Sequence, residues 1–431
     1  MAQAATAEVC CHHSLPHAMS NIALSAQDRV SAKAALRRRK LVAFLFVAPL
    51  LAFLVFAFVA PIASMLFRSI HEPTVAELIP DTLQKMESWD GQEMPPPEVM
   101  NQFALDLKRL ANDRTSGQLA GEINRALPGA SSVIKSTARG VRRADDAELA
   151  STGAQTLFDA NDRWQDVEIW RSIQDAGAPY RIDQYLTALD LQKNPVDGSI
   201  EARDGPKIYV DLYTKTLRIA LIITLLTIAL GYPLSYYLAG LPDRTANMLI
   251  VFVLLPFWTS LLVRTTSWIA LLQTNGVINS FLMWVGIIGQ PMEMLYTEFA
   301  TIIAMTHILL PFMILPLYSV MRGIDPSYFR AAMSMGAKPI PAFLRIYLPM
   351  SLPGLSAGAL LVFIISVGYY ITPALVGGTE GQMISNLIAF HMQQSNNWGL
   401  AAALGSILLA VILLLYWTYD RFVGTKSLSF G

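Results

Sequence analysis

Six stretches of this 431-residue chain are apolar over about the 20 residues that a helix needs to cross a bilayer. They cover residues 41 to about 66, 217 to 239, 249 to 272, 300 to 320, 352 to about 371 and 400 to 419. Backbone polar groups in hydrocarbon must be satisfied within the chain, so runs of this length read as helices. The expectation is an all-α polytopic membrane protein with about six transmembrane helices. Residues 275 to 289 are apolar too, but short and interrupted by Gly276, Gly286 and Gly289. A crossing there would invert every downstream assignment, so the segment reads as a re-entrant or interfacial element on the outer side.

Charge sets the orientation. Arg37, Arg38, Arg39 and Lys40 precede the first run; Arg244, then Arg322, Arg330, Lys338 and Arg345, then Arg421 and Lys426 follow later runs on that same side. Glu293, Glu298 and Glu380 occupy the opposite loops, 273 to 299 and 372 to 399, without Lys or Arg. The basic bias agrees with both termini on the cytoplasmic side. Residues 1 to 40 read as a cytoplasmic basic tail, 41 to 67 as the first transmembrane helix, and 424 to 431 as a second short tail.

Between the first two runs, residues 68 to 211 change abruptly in character. Residues 70 to 213 hold 24 acidic against 15 basic side chains, a net of −9. Pro95-Pro96-Pro97 breaks the segment early, and Val99, Phe103, Leu107 and Leu110 recur at helical spacing. We read a large, mostly helical extracytoplasmic insertion, with a partly disordered one as the alternative. Residues 212 to 423 form the remaining core, with five transmembrane helices. The two cysteines, Cys10 and Cys11, are adjacent and give no disulfide framework. His12, His13 and His17 lie beside them in a polar tail without metal-ligand spacing.

Between two apolar runs stands Arg330-Ala331-Ala332-Met333-Ser334-Met335-Gly336, continuing to Ile346-Tyr347-Leu348-Pro349. This spacing resembles the coupling loop of ABC importer permeases: Glu-Ala-Ala, three residues, Gly, nine residues, Ile, one residue, Leu-Pro. Ala331, Ala332, Gly336, Ile346, Leu348 and Pro349 fall in register, and Arg330 stands where the family has Glu. Leu255-Pro256-Phe257-Trp258-Thr259-Ser260, Leu309-Leu310-Pro311-Phe312 and Val376-Gly377-Gly378 resemble the spermidine/putrescine permeases of that class.

The resemblance implies an ABC type I importer permease arrangement, forming half of a translocation pathway. It implies as partners an ATP-binding subunit dimer, a second permease subunit that is a related but different chain, an extracytoplasmic substrate-binding protein and membrane lipid, with no nucleic acid. The coupling loop would span residues 322 to 350. Tyr328 to Met335 would form a first short helix, Gly336 the turn beside Ala337, and Ala342 to Tyr347 a second, with Pro349 separating it from the next span. Small Ala331 and Ala332 would let a groove on the ATPase approach closely.

No catalytic constellation stands out, so the chain reads as a transporter subunit and not as an enzyme. Gly424-Thr425-Lys426-Ser427 lacks the spacing of a phosphate loop. No cofactor is expected on this chain; ATP and magnesium would sit on the partner ATPase. For the translocation pathway the candidates are Trp258, Arg264, Tyr369 and Tyr370, since aromatic faces suit organic cations. Tyr236, Tyr237 and Trp268 are further aromatics in or near the spans. Arg264 lies inside an apolar run, where a guanidinium costs roughly 2.5 to 3.5 kcal/mol unless paired or wet. It either bonds carbonyls freed around Pro256 or snorkels. His307 and His391 are isolated and read as interior or interface groups.

The function the resemblance implies is import of polyamines or a related small organic cation. The alternatives are an ABC permease for an opine or amino-acid derivative, and a membrane-anchored scaffold or receptor whose outer domain binds a protein.

Overall fold

The computed structural model describes residues 26–194, 199–203 and 205–422, with side chains for all of these but 26–37 and 422. The cysteine and histidine tail and the Gly424 to Ser427 string lie outside the described residues. The chain divides into two units, Met1–Ser64 and Met65–Gly431.

The first unit carries a long helix, Ala26–Leu54, that continues through a π-turn at Val55–Val59 into Ala60–Arg68. Its apolar side chains, Phe44, Phe46 and Phe56 among them, face outward. A helix apolar on all sides belongs in lipid or against another membrane chain.

In the second unit, residues 74 to 188 fold into a helical domain with its own core. Helix Pro97–Asn112 lies along Asp146–Ala160, and Ser116–Ala126, Ala130–Val141 and Val167–Gly177 close the core around them. Phe103, Trp164 and Trp170 meet at its centre, with ring centroids 5.1 to 5.3 Å apart. Each buried indole N–H is satisfied: Trp164 donates to Thr137 Oγ1 and Trp170 to the Trp164 carbonyl, both at 2.9 Å. The four residues from Val99 to Leu110 that repeat at helical spacing all face this core. A small antiparallel hairpin, Leu191–Lys193 with Ile200–Ala202, follows the domain and had no signal in the sequence.

Among the described residues five helices are long and apolar enough to cross a membrane: Arg38–Arg68, Tyr209–Ala239, Glu298–Arg322, Pro339–Gly368 and Trp398–Arg421. Asp243–Trp258 and Leu261–Trp284 form a pair bent by 92°, which brings the total to six if the pair is one span. The apolar run over 249 to 272 is therefore broken at Thr259-Ser260, just past Pro256, and the helix that follows stops at Leu272 and resumes at Val277 after Gly276. Pro256 removes a ladder hydrogen bond, and both Thr259 and Ser260 take extended backbone angles. Residues 277 to 284 are helical, and Asn279 holds the chain that follows them by a two-way amide pair with the Met292 backbone.

Tyr209–Ala239, Glu298–Arg322 and Pro339–Gly368 pack closely because glycine lets their backbones approach. A methyl group on Gly358 would stand 2.9 Å from Met313 Sδ and 3.1 Å from its carbonyl; one on Gly231 would meet Met313 Cγ at 2.9 Å. Arg218 in the first of these helices pairs with Glu298 at the start of the second, at 2.6 Å.

Two substitutions separate the two cores. Phe103→Ala should cost about 3 to 5 kcal/mol in the insertion, and Gly358→Val about 1 to 3 kcal/mol in the bundle. Thermal unfolding of the purified chain in detergent, followed by tryptophan emission and far-ultraviolet circular dichroism, checks both; an unchanged transition for either variant contradicts the packing described.

Candidate functional site

The segment joining Glu298–Arg322 to Pro339–Gly368 is built from its caps. Helix Pro326–Ser334 opens on Asp325, whose carboxylate accepts the Ser327 N–H at 2.8 Å. That bond, and the nearby Arg330 guanidinium to a smaller degree, hold the Asp325 carboxyl below its ordinary value. The cap stays ionised above the usual carboxylate range and is lost only as pH falls through that lowered value.

At the other end Gly336 N–H donates to the Met333 carbonyl and Ala337 N–H to the Ala332 carbonyl, each at 3.0 Å, with Gly336 at φ +89°. This double bond pattern closes a helix with a left-handed residue, where glycine is favoured. The turn delivers the chain to Pro339, the first residue of a helix that runs without interruption to Gly368.

Residues Ala342 to Tyr347 therefore form no separate short helix, and Pro349 separates nothing. Phe343–Tyr347 is a π-turn inside one long helix, with Leu348 N–H donating to the Phe343 carbonyl. A proline ring crowds the carbonyl four residues back, and the wider turn ahead of Pro349 makes room for it.

The two alanines of the motif point in opposite directions. Ala331 is exposed, whereas Ala332 is 3% exposed and turned inward, and Ala342 is likewise buried. Close approach from outside can use Ala331 only; Ala332 lets the short helix sit tightly on Pro339–Ala342. Gly336 is exposed, Ala337, Ile346 and Leu348 are half-buried, and Pro349 is exposed. Around Ala331 the outer face carries Tyr328, Met333, Met335, Ile340 and Leu344, with Arg330, Lys338 and Arg345 among them. It is an apolar patch, 82% exposed at Met335, with a basic rim.

This knob is fastened to the spans by residues that the motif does not include. Tyr236, at the C-terminal end of Tyr209–Ala239, meets Phe343 and Tyr347 edge-on, with ring centroids 5.6 and 5.0 Å away. Tyr232 meets Phe343 at 6.1 Å and its hydroxyl lies 2.8 Å from Ser351 Oγ. Tyr236 thus packs against this segment while staying 44% exposed. Arg322 donates to the Ala239 and Leu241 carbonyls at 2.8 and 2.9 Å and pairs with Asp243, satisfying the carbonyl end of the preceding helix. In the sequence Arg322 signalled orientation alone.

The candidate pathway residues come together in part. Arg264 and Trp268 lie on Leu261–Leu272, and Trp268 donates its indole N–H to His307 Nδ1 at 3.3 Å. Arg264 is within electrostatic reach of His307 and Tyr369. Thr265 Oγ1 stands 3.5 Å from Thr372 Oγ1, both buried. The Arg264 Nε is buried without a hydrogen-bond partner among the described residues, so the guanidinium does not use it to bind carbonyls freed at Pro256. Trp258 is 75% exposed at the helix break, and Tyr370, also exposed, offers its carbonyl to the Asn386 amide. His391 Nδ1 lies 2.9 Å from Ser395 Oγ.

Two outcomes follow. Replacing Gly336 should lower coupled activity in the order Asn, Ala, Val, the last costing about 1 to 2 kcal/mol of turn stability; equal activity for Asn and Val would remove the left-handed turn from the account. Arg264→Leu should depress uptake at normal expression while Arg264→Lys retains part of it; full uptake by the leucine variant would leave Arg264 as a passive side chain.

The model of the family described as binding-protein-dependent transport system inner membrane component matches residues 230–425, and the helical insertion lies outside that match. The chain is similar to the spermidine/putrescine transport system permease protein PotB of Escherichia coli, 36% identical over 222 residues, which are 51% of this chain and 81% of PotB. PotB of Haemophilus influenzae is 32% identical over 222 residues, covering 51% of this chain and 78% of that protein. The inner membrane ABC transporter permease protein YdcU of Escherichia coli is 29% identical over 243 residues, 52% of this chain and 75% of YdcU. With helices that can span, an outward knob between two of them and relatives of this closeness, the chain belongs to the family of binding-protein-dependent transport inner membrane components.

Proposed function

We propose that this chain is the permease subunit of an ATP-driven importer of polyamines or a related small organic cation. It forms half of the pathway beside a second, related permease chain. The observation that carries the reading is the capped, glycine-turned knob at residues 325 to 338, clamped to the spans by Tyr232, Tyr236, Phe343 and Tyr347. The likeness to PotB supports the substrate class.

In this reading both termini and the knob lie in the cytoplasm and the acidic insertion lies outside. Arg330, Ala331, Gly336, Ala337 and the side chains around them fit a groove on an ATPase dimer, which holds the ATP and magnesium. Ile346, Leu348 and Pro349 act from within the long helix that starts at Pro339. Closure of the dimer moves the knob, and the aromatic clamp carries that motion into Tyr209–Ala239 and Pro339–Gly368. Trp258, Arg264, Tyr369 and Tyr370 belong to the pathway. With Arg330 where the family pattern has Glu, the docking face is basic and calls for an acidic rim on the ATPase.

A second substrate class is favoured by one observation. Arg264 has a buried donor without an acceptor, and among the described residues no carboxylate pairs with it. A cargo that carries a carboxylate beside its amine, such as an opine or amino-acid derivative, would supply one.

The complex reconstituted in nanodiscs with its ATPase, second permease and binding protein separates these. Spermidine or putrescine presented by the binding protein should stimulate ATP hydrolysis, and Arg330→Glu should weaken ATPase docking by about threefold to tenfold. Stimulation by an amino-acid derivative and by no polyamine would overturn the substrate class; unchanged docking in the glutamate variant would overturn the electrostatic account.

A further inference from the structure

We propose that Asp190 and Tyr185 are positioning residues that make the insertion a working part of the coupling path, with helix Tyr209–Ala239 as the rod between insertion and knob. The inference rests on the reading above, in which movement of the knob accompanies ATP hydrolysis.

The outer end of the rod is held by the insertion. Asp190 stands at the end of the domain's last short helix, at φ +56° and 4% exposed. Its Oδ1 accepts the N–H groups of Ile208 and Tyr209 at 3.1 and 3.2 Å, and its Oδ2 that of Val210 at 2.8 Å. These are orphan donors at the helix start, and a carboxylate there is favoured by both hydrogen bonding and the helix dipole. The cap comes from a residue 18 positions upstream, across the hairpin, so it ties the domain to the helix as well as closing the helix.

Tyr185 makes a second tie. Its hydroxyl lies 2.8 Å from Ser69 Oγ, just past the first span, and 3.0 Å from Ser406 Oγ in Trp398–Phe422. Beside it, Gln184 bonds Glu72 at 3.2 Å and packs against Gly399. Glu72 also pairs with Arg125 and Arg181 of the insertion at 3.1 and 2.8 Å. Ala188, Tyr209, Tyr213, Val367, Leu400 and Leu404 share one buried cluster, and Tyr213 donates to the Leu404 carbonyl at 2.7 Å. A tethered spacer would not make the contacts of Tyr185 and Gln184 with helix Trp398–Phe422.

The inner end of the same helix carries Tyr232 and Tyr236, which grip the π-turn of the coupling segment. The helix has 31 residues, about 46 Å at 1.5 Å per residue. One continuous helix, with Pro233 inside its last turns, is therefore held at one end by the insertion and at the other by the knob, so displacement at either end biases the other.

The test uses the full complex in nanodiscs with binding protein loaded with spermidine, reading ATP hydrolysis with and without it. The variants are Asp190→Gly, which removes the carboxylate without straining a left-handed residue, Asp190→Asn, which keeps an acceptor oxygen, and Tyr185→Phe, which keeps the ring. The double variant Asp190→Gly with Tyr185→Phe should lose about fivefold or more of the stimulation, with basal hydrolysis unchanged and the insertion's tryptophan emission native. Asp190→Asn should restore most of it. Stimulation of the double variant within about twofold of wild type, or an asparagine variant no better than glycine, overturns the inference. Should Asp190→Gly loosen the insertion, Tyr185→Phe alone decides: full stimulation overturns the claim and a loss supports it. A wild-type complex that spermidine does not stimulate contradicts the functional reading instead.

Discussion

A backbone group inside hydrocarbon has no water to turn to, and this constraint governs where the chain can depart from an α-helix. Within the described spans three departures stand beside a proline. The π-turns at Val55–Val59 and Phe343–Tyr347 both end one residue before the position ahead of a proline ring, at Pro61 and Pro349. The 92° break follows Pro256 by three residues. Wider turns absorb a missing donor without opening the helix, whereas the extended pair Thr259-Ser260 opens it fully. The first kind keeps a long lever intact, and the second re-aims the chain around Arg264 and Trp268.

Stiffness elsewhere comes from close approach. Gly231 and Gly358 bring two helices against Met313, so the bundle has little room to deform at its centre and movement has to pass along whole helices. Helix Tyr209–Ala239 takes part in several of the long-range ties: Asp190 at its start, Arg218 with Glu298, Gly231 at its middle, and Tyr232 and Tyr236 at its end. The insertion and the coupling segment are far apart in sequence and share this one element.

What the residues disclosed on inspection follows from how local each signal is. Long apolar runs, helical spacing from Val99 to Leu110 and the glycine turn after a short helix are written in consecutive residues, and the fold shows all three. Interruptions at Pro256 and at Gly276 were both legible, and the helix stops at both, but the 92° angle of the first is set by packing that no local residue pattern records. The opposite facing of Ala331 and Ala332 depends on what lies beneath the short helix. Asp190 gave no sign at all: a cap supplied across a hairpin has no sequence spacing to betray it. Tyr236 read as a membrane aromatic, since composition cannot tell a ring at a bilayer surface from one closing on Phe343.

The central claim is that the knob at residues 325 to 338 is the face an ATPase holds. Its most direct measurement is a cysteine at Met335, the most exposed side chain of the patch, in a chain whose Cys10 and Cys11 are replaced by serine. A short bifunctional reagent applied to the assembled complex should join this cysteine to the ATPase subunit, and ATP with vanadate should change the yield. Joining to the binding protein, or no joining to the ATPase while the complex remains intact, would contradict the account.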